Sequence, residues 1–141
     1  MKKLFGLGVV LLLSLSACSG DDGPKDRTPA VSFDQLPKKW YYVSTKVGNQ
    51  TTPYDGHTAC AKDYIEFKAG TTVNNVDYTT CQDEPEIATG TYSVNTDSQR
   101  VTTVIDGETI NYTIVKLNSR DLEAETTFNN LKITYIFASV P

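Results

Sequence analysis

The sequence predicts an all-β domain, and the preferred architecture is an eight-stranded antiparallel up-and-down barrel, with a β-sandwich as the alternative. The first observation is that apolar and polar side chains alternate beyond residue 40, in segments rich in Thr, Val, Ile and Tyr. Such alternation is typical of strands that bury one face. The second is that turn residues separate these segments every eight to twelve positions. The third is that no ten-residue window shows helical periodicity, which argues against α/β folds.

The first residues differ in composition from this domain and predict a signal peptide over residues 1–17. Residues 1–3 are basic in character, and residues 4–15 are mostly apolar. The apolar run is shorter than the roughly 20 residues that a membrane-spanning helix needs. Residues 15–18, Leu-Ser-Ala-Cys, then resemble the bacterial lipobox. The resemblance implies that cleavage falls just before Cys18 and that Cys18 carries the lipid.

Residues 18–30 are expected to form a lipidated N-terminus and a flexible polar tether, with the domain occupying residues 31–141. The acidic tract at residues 19–23 resembles the export signal of Bacteroidetes-type lipoproteins, and a plain solvated linker is the alternative. Two or three acyl chains hold a protein firmly on a bilayer. We therefore expect a lipid-anchored protein of the cell envelope, on the outer membrane and in one interpretation exposed at the surface.

The charge of the mature chain excludes some partners. Removal of residues 1–17 takes away two lysines and no acidic residue, so the formal charge moves from −4 to −6. Nucleic acid and anionic lipid surfaces are bound through clustered Lys and Arg, which an acidic chain does not provide. We therefore expect no nucleic-acid partner, and membrane contact only through the acyl chains. The domain is also long enough to fold without a cofactor.

Three cysteines are present, and assigning Cys18 to the lipid leaves Cys60 and Cys81 as a pair. In an oxidising compartment such a pair predicts a disulfide. The alternative is two reactive thiols, but the sequence offers no CxxC motif and no adjacent basic pairing to lower a thiol pKa.

Short turns separate the predicted elements. One helical turn is expected near residues 32–36, limited by Pro37. Strands are predicted at residues 40–47, 64–68, 72–79, 88–95, 100–105, 108–117, 121–128 and 131–140. Asp106-Gly107 has the composition of a type I′ hairpin turn. Because the connections are short, neighbours in sequence should be neighbours in the sheet.

The period of two in the last three strands predicts which side chains face inward. The inward set is Ile110, Tyr112, Ile114, Leu122, Ala124, Thr126, Phe128, Leu131, Ile133, Tyr135 and Phe137. Such a face must be covered, either by closure into a barrel or by a second sheet. The sequence leaves two alternatives for the interior. Bulky aromatic side chains fill it completely, or it keeps space for a ligand.

Trp40 at the start of the first strand follows Leu36-Pro37-Lys38-Lys39 and resembles the opening of lipocalin-like domains, where a Gly-x-Trp segment closes the barrel floor. Lys38 stands where that motif has Gly. The Cys60 that precedes an Asp-Tyr-Ile-Glu-Phe strand, and the short hairpins to Pro141, are similar to small lipocalin-like lipoproteins of Bacteroidetes. The resemblance implies an eight-stranded barrel that could accept one small apolar ligand. The ligand-contacting residues would be Trp40, Tyr42, Tyr112 and Tyr135.

Other chemistry-bearing residues give weaker patterns. His57 is the only histidine, and Asp55 and Asp63 could join it around a divalent ion, although a plain turn explains the same residues. The acidic stretch at residues 83–86 lacks the ligand spacing of a calcium loop. No nucleophile motif accompanies His57. We therefore predict no enzyme activity, no metal and no cofactor.

Two functions from different classes follow. The first is a lipid-anchored binding module for a small hydrophobic molecule. The second is a structural or interaction lipoprotein with a solidly packed barrel, whose Thr-rich outer faces, or an edge left open by imperfect closure, meet another envelope protein.

Overall fold

The computed structural model describes residues 31–141, and the predicted signal peptide, Cys18 and tether lie outside this range. The elements are a 3-10 helix at Phe33–Gln35 and strands β1 Lys39–Val47, β2 Gln50–Pro53, β3 Tyr64–Phe67, β4 Thr72–Asp77, β5 Glu86–Asn95, β6 Arg100–Ile105, β7 Glu108–Leu117, β8 Asp121–Phe128 and β9 Leu131–Ala138. None of the helices in residues 31–141 has the length and apolar character to cross a membrane.

All nine strands belong to one antiparallel sheet that closes on itself. From β3 to β9 each strand pairs with the next in sequence, and β9 pairs back with β1. The closing ladder joins residues 41–47 of β1 to residues 133–138 of β9. The predicted up-and-down antiparallel barrel is therefore confirmed, and the sandwich alternative is not adopted.

The strand count differs from the prediction, because β2 was not anticipated. Tyr41 is paired on its two sides by Tyr64 of β3 and Ala138 of β9, whereas Ser44 is paired by Pro53 of β2 and Ile136 of β9. β2 and β3 thus lie along the same edge of β1 and together fill one position of an eight-position barrel. All four residues of β2 are exposed. An element without a buried face carries no alternation, so the sequence pattern gave no indication of it.

The turns define two ends of the barrel. Asp106 and Gly107 both have positive φ, 52° and 80°, as a type I′ hairpin requires. Asn129 and Asn130 also both have positive φ, 48° and 64°. Together with residues 48–49 and 78–85 these turns form what we call the open end. The turns at residues 68–71, 96–99 and 118–120 and the 3-10 helix form the closed end.

Trp40 closes the barrel floor. Its side chain is 0% exposed and its Nε1 donates a hydrogen bond to the Leu36 carbonyl oxygen at 3.0 Å. Leu36, Leu117 and Leu122 are also fully buried around the same core. The Nζ of Lys38, which replaces the glycine of the lipocalin motif, lies 5.2 Å from the centre of the Trp40 ring. A cation over an indole face is attracted to it, so the lysine covers the floor without entering it.

The chain enters the domain at the closed end. Val31 forms a parallel bridge with Leu117, and the Ser32 N–H donates to the Leu117 carbonyl oxygen at 3.0 Å. Leu117 is the last residue of β7. The predicted tether therefore joins the domain on the side opposite the open end.

Three residues expected to point into a dry interior are exposed instead. Phe128 is 66%, Leu131 is 58% and Ile110 is 37% exposed, although the alternation of their strands places all three on the inward face. β7 and β8 pair only from Thr113 and Glu125 toward the closed end. Beyond that point the β6–β7 and β8–β9 hairpins diverge, so the tip of the β8–β9 hairpin has no strand opposite it. The prediction that these three side chains lie in a dry interior was wrong, because alternation gives the direction of a side chain but not whether a neighbouring strand covers it.

The predicted disulfide is confirmed. Cys60 and Cys81 are bonded, with Cα atoms 5.7 Å apart. The bridge joins the loop at residues 54–63 to the loop at residues 78–85. Two irregular segments beside the open end are thereby fastened to each other.

Replacing both bridge residues, Cys60→Ser with Cys81→Ser, should lower the free energy of unfolding by about 3 kcal/mol. The bond closes a loop with a sequence separation of 21 residues, and its loss releases that loop in the unfolded chain. Urea unfolding followed by circular dichroism measures the change. The reduced wild-type protein is the matched control and should lose a similar amount. A double variant as stable as the oxidised protein would contradict the entropic account.

Candidate ligand-binding cavity

The barrel interior is packed in its closed half and open in the other half. A cavity of about 650 Å³ lies above the floor. Its deep walls are apolar and come from five strands, β3 and β6 to β9: Ile65, Phe67, Val101, Ile114, Leu122, Ala124 and Phe137. Both states foreseen for the interior are thus present, one at each end. The solid packing expected throughout in one alternative is restricted to the floor.

Three of the four predicted ligand residues line this cavity. Tyr42, Tyr112 and Tyr135 contribute to its wall, from β1, β7 and β9. Trp40 does not belong to the wall, and its burial and hydrogen bond to Leu36 place it in the floor beneath. The structure therefore brings the tyrosines together and gives the tryptophan a supporting position.

Polar wall residues were missed by the sequence reasoning. Asn75 and Asp77 of β4 line the cavity, as does Thr103 of β6. The signal was present in the period of two, because Asn75 and Asp77 share one face of β4 with the buried Val73. Inward faces were assigned only for the last three strands, so the polar residues on the inward faces of β4 and β6 were not considered.

A chain of hydrogen bonds runs along one wall toward the mouth. The Tyr42 hydroxyl donates to the Asn75 Oδ1 at 2.7 Å, and the Asn75 Nδ2 donates to the Asp77 Oδ2 at 3.0 Å. The Tyr42 ring also stacks on Tyr54 at 5.0 Å and contacts Phe137 at 4.9 Å between ring centres. These contacts hold the tyrosine in one orientation, so its hydroxyl presents a fixed polar group in an apolar wall.

Two tyrosines of the cavity wall, Tyr42 and Tyr112, stay neutral well above neutral pH. Burial, followed by the nearby Tyr135, raises the pKa of Tyr112 to about 12. Burial also raises the pKa of Tyr42, and Tyr112 and Asp77 add to the effect. The rings of Tyr112 and Tyr135 meet edge to face with centres 6.2 Å apart. At these two positions the wall therefore offers neutral hydroxyl groups, which suits an apolar molecule with few polar atoms.

His57 is used structurally in the loop at residues 54–63. Its Nδ1 accepts the Asp63 N–H at 3.0 Å, so the Nε2, 2.7 Å from the Tyr42 carbonyl oxygen, is the protonated nitrogen and donates. The Tyr54 hydroxyl donates to the Asp63 Oδ2 at 2.7 Å. The loop thus supports the outer side of the Tyr42 segment. Within residues 31–141 no three His, Cys, Asp or Glu side chains are grouped to hold a metal ion.

A groove opens the side of the barrel between the diverging hairpins. It has a volume of about 970 Å³ and lies between residues 108–113 of β7 and residues 125–128 of β8. Four residues line both the groove and the cavity: Glu108, Ile110, Tyr112 and Tyr135. The two spaces therefore meet along these side chains. The walls of the groove include the exposed Thr109, Asn111 and Thr127, whereas buried apolar side chains form the deep wall of the cavity, so the cavity is the better site for an apolar ligand.

Stability should fall as the pH rises above about 10, the usual pKa of tyrosine. There the unfolded chain loses its phenolic protons while Tyr112, whose folded-state pKa is about 12, keeps its own. The stabilisation is complete below the unfolded pKa and is lost by about 1.4 kcal/mol per pH unit until the folded pKa is reached. Urea unfolding at increasing pH measures the slope. Tyr112→Phe should reduce the loss of unfolding free energy per pH unit. Tyr41→Phe, on the outer face of β1, is the control and should leave that slope unchanged. Equal slopes in wild type and Tyr112→Phe would contradict the assignment.

Comparison with known proteins agrees with this architecture. The sequence model of the lipocalin-like domain family matches residues 36–124, which is more than half of the 141 residues. The matched stretch begins at Leu36 in the floor and ends at Ala124 in β8. A search among curated proteins found no match. The resemblance inferred from the Trp40 segment is thereby confirmed, and the bacterial lipoprotein origin stays a prediction. The chain belongs to the lipocalin-like domain family.

Proposed function

We propose that this protein is a lipid-anchored, non-enzymatic binding module of the cell envelope that holds one small hydrophobic molecule inside its barrel. The observation that carries the proposal is the cavity of about 650 Å³ above the Trp40 floor. Its volume falls within the roughly 300–1,000 Å³ typical of small-molecule sites.

The wall chemistry supports an apolar ligand. The deep residues Phe67, Ile114 and Phe137 offer aromatic and branched apolar surface. Each square ångström of apolar surface removed from water contributes about 25 cal/mol, so a ligand that fills the deep part gains several kcal/mol before association costs. The few hydroxyl and amide groups of the wall then favour one orientation of the ligand.

Anchoring through Cys18 supplies the cellular setting of the proposal. The lipobox-like residues 15–18 and the acidic residues 19–23 support export and acylation. The Cys60–Cys81 bridge fits an oxidising compartment, where disulfides persist. We therefore place the barrel outside the cytoplasm, held at the outer membrane by acyl chains.

Purified protein should bind the neutral dye N-phenylnaphthylamine, with a rise in fluorescence as the dye enters the apolar cavity. Ala88→Trp, which places a large ring in the cavity wall, should weaken binding at least tenfold. Thr89→Trp is the matched control, because this adjacent residue of β5 is exposed and does not line the cavity. Equal affinities in the two variants, or no binding to wild type, would exclude the cavity as the site.

Cys18→Ser should abolish acylation of the full-length precursor. Mass spectrometry of the N-terminal peptide from membranes should find diacylated peptide beginning at Cys18 in the wild type. The variant should give an unmodified peptide and lose its firm membrane association. An unmodified Cys18 in membrane-bound wild-type protein would contradict the proposed anchor.

A second candidate function is protein interaction, and the gap between β7 and β8 favours it. Residues 108–112 of β7 and 126–128 of β8 have no strand partner on the sides that face each other. Unpaired strand edges can bind an extended segment of another protein by main-chain hydrogen bonds. Cross-linking from the exposed Asn111 in intact cells, with the exposed Val94 as control position, distinguishes this function from ligand binding.

A further inference from the structure

The mouth of the cavity has a charge of one sign. Asp77, Glu86, Asp106 and Glu108 line it, and no Lys, Arg or His contributes to the cavity wall. Among residues 31–141 none of these four carboxylates forms a salt bridge, while lysines elsewhere on the barrel do pair with Asp or Glu. The negative charge at the mouth is thus left without a compensating protein cation.

Two of these carboxylates are placed directly opposite each other. Asp77 and Glu86 are cross-strand partners at the tip of the β4–β5 hairpin. Cβ atoms of such partners lie about 4.5–5.5 Å apart, and like charges in this arrangement are destabilising. Asp106 and Glu108 project from the neighbouring β6–β7 hairpin into the same mouth. Four like charges therefore lie close together at the mouth of the cavity, where they repel each other.

The titration of Asp77 agrees with this geometry. Burial, followed by the charges of Asp63 and Glu86, raises the pKa of Asp77 above its usual value, although a hydrogen bond from Asn75 opposes the shift. Ionised Asp77 consequently costs folded-state stability at neutral pH, and the cost disappears as the pH falls through its pKa. A cation bound beside Asp77 would offset part of this cost without a change of pH.

We propose that the cavity selects hydrophobic molecules that carry a cationic group, such as alkyl or aryl amines. This proposal rests on the proposed function, that the cavity holds a small apolar molecule. The apolar part lies against the deep wall, and the cation lies at the mouth against Asp77 and Glu86. A fatty carboxylate of the same length would place a third negative charge beside this pair, which is unfavourable in a cleft lined by one sign of charge.

The experiment compares three ligands that share one chain and differ in charge. Dodecylamine, dodecanol and dodecanoate, each below its micelle concentration, compete with N-phenylnaphthylamine for the purified protein at neutral pH. We expect dodecylamine to bind at least tenfold more tightly than dodecanoate, with dodecanol between them. Raising the salt concentration should reduce the difference, because exposed charges are screened.

A double variant tests the residues. Asp77→Asn with Glu86→Gln should bring the amine and carboxylate affinities within about threefold and leave dodecanol unchanged. It should also raise the thermal unfolding midpoint, since it removes the like-charge pair. The control Asp97→Asn with Glu123→Gln changes the net charge equally outside the cavity wall and should keep the amine preference.

The outcomes separate this proposal from the function on which it rests. If dodecanol and the dye bind but the amine is not preferred, or the preference survives in the double variant, the charge selection is wrong and ligand binding stands. If neither the dye nor any chain binds, the proposed function fails and the selection fails with it. A stabilised double variant with unchanged preference would show that the carboxylates affect folding only.

Discussion

The pairing of β1 with β9 is the constraint on which the rest of the molecule depends. It joins the first and last strands along residues 41–47 and 133–138 and so turns an open sheet into a barrel. An open sheet would expose backbone donors and acceptors on two outer strands and would leave its apolar face uncovered. Closure removes both problems and creates an interior. The floor, the cavity and the mouth exist only because that interior is separated from water.

Closure alone does not decide how the interior is filled, and the two halves differ in this respect. At the closed end Trp40 and three leucines occupy the space, and the indole hydrogen bond to Leu36 satisfies the one polar atom of the ring. Toward the open end the strands contribute smaller or polar side chains, including Ala88, Thr103 and Asn75. Large apolar side chains fill the centre near the floor, whereas the small and polar residues above it leave space between the tyrosines of the wall, so one barrel is both well packed and hollow.

Much of this could be predicted from the sequence, and the failures have identifiable causes. A single sequence was enough to predict the later strands and the type I′ turn at Asp106-Gly107, because both depend on local composition. It was also enough for the Cys60–Cys81 bridge, because only two cysteines remain once Cys18 is assigned to the lipid. β2 was missed because it buries no residue. The exposure of Phe128 depends on how two hairpins diverge, which is a property of the assembled sheet. Tyr42, Tyr112 and Tyr135 were found as wall residues, whereas Asp77 was missed because an inward carboxylate runs against the hydrophobic pattern.

The bridge between Val31 and Leu117 has a consequence for how a membrane-held barrel would be oriented. It places the point where the predicted tether joins the domain at the closed end, beside Trp40 and opposite the acidic mouth of the cavity. The predicted tether, residues 18–30, has thirteen residues and spans at most about 45 Å when fully extended, which exceeds the radius of a small domain. If Cys18 is anchored as proposed, the floor lies nearest the attachment point, and the mouth of the cavity can face away from the membrane. In that orientation a ligand would enter the cavity from the aqueous phase rather than directly from the bilayer.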